Sequence, residues 1–208
     1  VAEIVIDVRD RRIDVAVSED NQIHILYSEN NKETYDISLS SQAVLTMTSA
    51  DSKEWTDFIG GKPSDENRII SLQIPDALLS ALTLSTTNED ITLPALAVTG
   101  SISLSSNGGD VSFGNLSVGS GLTLNAKNGD ITGTVVGSYD GFAITSNVKK
   151  GESTLPDSKE GGEKMLDVTC NNGDVKNENA LGHAVFRGPG VFPFLALWRF
   201  ALPAAFPW

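Results

Sequence analysis

Four aspartates carry the pattern that could do chemistry. Asp90, Asp110 and Asp130 recur at a step of 20 residues, and Asp174 ends a segment of the same form, Asn172-Gly173-Asp174-Val175. Stacked carboxylates have three uses. A pair at a fixed separation can act as acid and base, or acid and nucleophile, in glycoside cleavage. A ladder of Asp and carbonyl oxygens can hold calcium. An Asp beside Asn-Gly can also simply accept backbone N–H bonds at an exposed turn.

The neighbours favour the third use. Residues 82–147 hold one Lys, no Arg, no His, no Trp and one Tyr, Tyr139. Glycan cleavage wants basic or aromatic groups beside its carboxylates. Calcium-binding β-roll sequences repeat roughly every nine residues with paired glycines, a form that only Gly108-Gly109-Asp110 approaches. Two carboxylates about 5 Å apart repel by roughly 3 kcal/mol at an effective dielectric near 20. A dry column therefore needs cations or hydrogen bonds. Asp90, Asp110, Asp130 and Asp174 remain weak metal candidates. The reading preferred is structural turns at Asn128, Gly129, Asp130, Asn172, Gly173 and Asp174, with no catalytic residue and no cofactor.

Other chemistry is sparse. His24 and His183 lie in different segments, and no Cys/His cluster has metal spacing. Cys170 is the lone cysteine, so no intrachain disulfide can form; its strand position predicts a buried, inert thiol. No nucleophile elbow, P-loop or dinucleotide fingerprint is present.

The elements that must position the aspartates follow from the same period. Leu82, Ile102 and Leu122 lead three units, and Leu84, Leu104 and Leu124 keep the step. Phe142-Ala143-Ile144 opens a fourth unit on schedule, a polar stretch over 148–164 interrupts it, and Leu166-Asp167-Val168 resumes the pattern. Alternating apolar residues within each unit predict short strands. Such units bury their apolar faces only by stacking, with about 4.8 Å between neighbours. The fold class expected is all-β, a right-handed parallel β-helix with coils of about 20 residues. The hydroxyls of Thr83, Ser103, Thr123, Ser85 and Ser105 then face outward.

Residues 1–81 also read as β: Ile4 to Val8, Ile13 to Val17, Gln22 to Tyr27, Tyr35 to Leu39, Val44 to Met47 and Ile69 to Ile74. They are expected to form irregular coils or a small sheet capping the N-terminal end. A short helix is expected around Ser52 to Phe58. One solenoid domain over 1–178 is expected, with 82–178 as its regular part.

Leu72-Gln73-Ile74-Pro75 followed by repeated units ending in Asn-Gly-Asp-Ile, as at Asn128-Gly129-Asp130-Ile131, resembles the bacterial putative-adhesin family of unknown function. The resemblance spans roughly residues 3 to 177. It implies β-solenoid ectodomains, often behind an N-terminal membrane segment or export signal, and implies no catalytic residues.

Charge agrees with a solvated surface. The chain of 208 residues carries 15 basic and 27 acidic side chains, a net charge of −12. That excludes nucleic-acid binding, which draws on Lys and Arg at phosphates, and docking on an anionic membrane face. The sequence begins at Val1, so a leader or anchor preceding it is expected to be lost. The location expected is extracytoplasmic, at the cell envelope or surface. The partner expected is a protein or glycan there. Residues 179–208 break the composition: no acid, only Arg187 and Arg199, and many Phe, Pro, Leu and Trp. Pro193, Arg199, Pro203 and Pro207 make a membrane span poor. A cap for the open end, a self-association surface or a non-native extension are the readings open. The function expected is a non-enzymatic surface interaction module; the alternative is a carbohydrate-active β-helix enzyme using a stacked Asp pair.

Overall fold

The structure is a computed structural model and describes residues 1–50 and 65–177. The helix expected around Ser52 to Phe58 and the tail over 179–208 lie outside the described residues.

Alternating burial builds the strands. In β7 (Ala81–Thr86) Leu82, Leu84 and Thr86 are buried while Ala81, Thr83 and Ser85 are half-buried. The same alternation runs through β10 (Ser101–Ser106), β12 (Gly121–Asn128) and β16 (Lys164–Asn172). These strands pair in parallel. Leu82 faces Ile102, Ile102 faces Leu122, and Leu122 faces Leu166. The 20-residue step is thus the strand register. The described residues are all-β apart from two single 3-10 turns, Asp65–Arg68 and Tyr139–Gly141.

Each coil turns a corner after its first strand and crosses to a second sheet. There β8 (Ile91–Leu93) and β9 (Leu96–Val98) both pair in parallel with the longer β11 (Val111–Val118). β11 in turn pairs with β13 (Ile131–Val135), with a register irregularity between Ser112 and Asn115. The last strand, β17 (Val175–Asn177), lies on β13. One apolar cluster fills the interior from Ile4 to Val175.

Both ends depart from the expected stacking order. At the N-terminal end, β1 (Glu3–Asp7) and β2 (Arg12–Val17) are a regular coil, not an irregular cap. Ile4 faces Leu82 and Ile13 faces Ile91. The chain then leaves through β3 (His24–Leu26), β4 (Tyr35–Leu39), β5 (Val44–Ser49) and β6 (Ile69–Ile74). β5 lies outside β1 and β6 outside β2, so the first coil is sandwiched. At the other end β14 (Phe142–Lys150) does not follow β12. β16 inserts between them. Ile144, not Phe142, takes the place of Leu122, because Ile144 faces Leu166. That is a slip of two residues, which keeps every side chain on its own face and so leaves the apolar pattern intact. The polar segment 148–164 is also partly strand: β14 runs to Lys150, and β15 (Ser158–Lys159) pairs antiparallel with it. The first sheet therefore reads β15-β14-β16-β12-β10-β7-β1-β5-β4. Antiparallel strands close the N-terminal end of both sheets, β4 on β5 and β3 on β6, and the C-terminal end of the first, β15 on β14, while the second sheet ends on the parallel β17.

Candidate functional site

The aspartates meet at the corner between the two sheets. The N–H of Asp110 donates to Oδ1 of Asp90, that of Asp130 to Oδ1 of Asp110, and that of Asp174 to Oδ1 of Asp130, each at 2.8 Å. The N–H of Glu152 continues the run on Oδ1 of Asp174 at 3.0 Å. Backbone bonds run the other way. Ile91 N–H reaches Asp110 O, Val111 reaches Asp130 O, and Ile131 reaches Asp174 O, each at 2.9 Å. At a corner the carbonyls rotate out of the ladder and leave N–H groups unserved. The carboxylate supplies the missing acceptor. These bonds join one coil to the next, whereas a turn-internal Asp would bond its own loop. The hydrogen bonds also offset the repulsion of like charges along the column.

The glycines of the motif answer to the same stacking. A Cβ at Gly109 would lie 2.3 Å from the Glu89 carbonyl, at Gly129 2.3 Å from Gly109 O, and at Gly173 2.2 Å from Gly129 O. Gly151 repeats the contact on Gly173 O at 2.0 Å. Any side chain there would strike the backbone of the coil before it. The asparagines form a second ladder. Asn172 Nδ2 donates to Asn128 Oδ1 at 2.6 Å, and Asn128 Nδ2 to Asn107 O at 3.0 Å.

Behind the corner Thr86, Ser106, Ala126 and Cys170 are buried in one column. Thr86 Oγ1 donates to Arg11 O at 2.7 Å, and Ser106 Oγ to Glu89 O at 3.0 Å. Cys170 Sγ occupies the same donor position, 3.4 Å from Gly129 O, and also lies 3.2 Å from Gly173 O of its own corner. Burial pushes its thiol up, and the charges of Asp130 and Asp174 add to the shift. At the end of the column Asp174 is held below the usual carboxylate range. The Glu152 N–H is the main cause, followed by Lys176, whose Nζ is 3.2 Å away. Among the described residues no group of three or more His, Cys, Asp or Glu is placed to hold a metal ion.

A second polar cluster escaped the sequence. Arg11 and Glu33 are both buried and form an ion pair at 3.1 Å. Arg11 Nε donates to Tyr35 Oη at 2.6 Å and Nη1 to Asp10 O at 3.0 Å; Asn30 Nδ2 donates to Glu33 Oε2 at 2.5 Å. The ring of Tyr35 meets Tyr27 edge-on at 5.3 Å. The group clamps the β3–β4 connection onto the first coil. An open cleft of about 350 Å³, lined by Ser28, Glu29, Asn30, Glu33 and Asn67, lies beside it. Arg68 pairs with Glu89 nearby. Parity was the available signal: Arg11 shares the inward phase of Ile13 and Val15. Its partner 22 positions away leaves no mark in the local pattern.

A family model covers residues 1–183, described as Toastrack DUF4097. The chain belongs to the Toastrack DUF4097 family. The Toastrack fold is a β-helix-like solenoid, consistent with the stacked parallel strands here. A crystal structure described as a putative cell adhesion protein from Clostridium sporogenes is similar, with a TM-score of 0.59 and 10% identity over 84% of this chain and 90% of that one. At that identity the likeness concerns the fold. No curated protein sequence matches the chain. Within this Toastrack domain the described residues include no helix long and apolar enough to cross a membrane.

Proposed function

We propose that this protein is a non-enzymatic interaction module of the bacterial cell envelope or surface, displayed outside the cytoplasm, with a protein or glycan as partner. The observation that carries the reading is the use made of the aspartates. Their carboxylates are engaged as acceptors for backbone N–H groups in successive coils. A hydrolytic pair needs one carboxyl that still holds its proton near neutral pH. Asp174, whose titration is displaced, moves in the opposite direction. Family membership and the fold shared with a putative cell adhesion protein support a surface role.

In this reading Asn128, Gly129, Asp130, Asn172, Gly173 and Asp174 are architectural. Residues 1–178 act as one domain, and the coils wind right-handed, the hand that parallel crossovers adopt in nearly all cases. Surface labelling tests the role. The full-length protein, tagged at an exposed loop and expressed in its native host, is expected to be reached by antibody and trimmed by added protease on intact cells. Signal only after lysis would overturn the envelope assignment.

A further inference from the structure

The N-terminal end of the first sheet carries an edge that is open among the described residues. β4 is its outermost strand. Ser40 N–H donates to Val44 O, and Ala50 N–H to Thr34 O, each at 2.9 Å. In an antiparallel pair such residues alternate, so Thr34, Asp36, Ser38 and Ser40 aim their backbone at β5. Tyr35, Ile37 and Leu39 aim theirs outward. Tyr35 N–H is taken by Glu29 Oε1 at 2.9 Å. Among the described residues none pairs with the outward backbone groups of Ile37 and Leu39, and these residues are 41% and 61% exposed although they lie on the core side of the sheet.

Natural edges are blunted with Lys, Pro, bulges or very short strands. The far edge of the same sheet follows that rule: β15 has two residues, one of them Lys159. β4 does not. It holds neither Lys nor Pro, and its register on β5 is regular from Tyr35 to Leu39.

We propose that β4 pairs antiparallel with β4 of a second copy of this chain about a twofold axis at Ile37. The strand is complementary to itself in that register. Ile37 meets Ile37 and exchanges both backbone bonds with it, while Tyr35 N–H stays with Glu29. Asp36 falls opposite Ser38, so no acid faces an acid. Ile37 and Leu39 of both copies close over the exposed core side of the sheet. The contact is small and the molecules repel through their net charge of −12, so the dimer is weak and tightens with salt. The proposal does not rest on the envelope role and holds wherever the protein resides.

Sedimentation velocity on the full chain tests it, from about 5 to about 500 µM protein at about 50 and 500 mM NaCl. A monomer–dimer equilibrium that tightens at high salt is expected. Ile37→Lys sets two ammonium groups together at the axis and is expected to weaken the dimer by about tenfold or more, with the circular dichroism unchanged. Ser38→Lys sets an ammonium opposite Asp36 of the second copy, twice per dimer, and is expected to tighten it a few-fold. A monomer under every condition overturns the proposal. So does a dimer indifferent to Ile37→Lys, or one that Ser38→Lys weakens.

Discussion

Asp130 N–H and Asp110 Oδ1 lie 2.8 Å apart across one coil step. The bond makes the side chain of one coil a backbone surrogate for the next. Asp110→Asn keeps an acceptor oxygen there, and Asp110→Ala removes it. We expect Asn to cost under about 0.5 kcal/mol and Ala about 1 kcal/mol, since the orphaned N–H sits at an accessible corner where water partly replaces the lost acceptor. Urea unfolding of the two variants checks the difference.

Gly129 and Gly121 are eight residues apart in sequence and opposite in tolerance. A Cβ at Gly129 would lie 2.3 Å from Gly109 O, whereas at Gly121 the nearest atom is 3.5 Å away. Gly129→Ala is expected to cost about 2–4 kcal/mol, as an overpacked site does. Gly121→Ala is expected to be neutral within about 0.5 kcal/mol. Thermal denaturation of both variants tests the stacking explanation of the motif.

The Arg11–Glu33 pair is buried on both sides. Glu33→Gln leaves a buried guanidinium without its counter-charge and is expected to destabilise by about 3–5 kcal/mol. Arg11→Met together with Glu33→Leu is expected to recover most of that loss. Chemical denaturation measures both, and a cycle of Arg11→Met, Glu33→Leu and the pair isolates their coupling; single costs that simply add to that of the pair would show that the two residues act independently.

Asp20 titrates at about 2, against an ordinary 3.8, because His24 donates to it first, then the Ser18 hydroxyl and the Gln22 N–H. Its folded pKa is below its unfolded one. The stability it adds is therefore complete above the ordinary range and is lost as pH falls through about 2. Carboxyl carbon NMR is expected to place the midpoint near 2, and His24→Ala to move it back toward 3.8.

Cys170 is buried, and burial raises its thiol. An alkylating reagent at mildly alkaline pH is expected to spare it in the folded protein and to label it fully in denaturant. Cys170→Ser places a hydroxyl where Thr86 and Ser106 already carry one, and is expected to cost under about 1 kcal/mol.

The repeated corner was legible because geometry imposes the same demands at each step. Only glycine clears the carbonyl of the preceding coil, and an Asp supplies the acceptor the corner lacks, so Gly and Asp recur at a fixed interval. The order of strands was not legible. Alternation states which residues face inward, but the same phase serves any neighbour. Ile144 therefore lies beside Leu166 with a shift of two and no trace in the pattern. The Arg11–Glu33 contact is a tertiary accident of the β3–β4 excursion, and single-sequence periodicity carries no term for it.

The sandwiched strands have a mechanical consequence. In a simple stack each outermost coil is also a chain terminus and can peel away alone. Here β1 lies inside β5, and β16 inside β14. The outermost strands of the first sheet belong to mid-chain loops held at both ends, and β1 and β16 lie beneath them. In this sheet unravelling cannot start from a loose thread: a whole loop must lift before the strand under it comes free. Pulled through β1 or β16, the first sheet yields late and all at once.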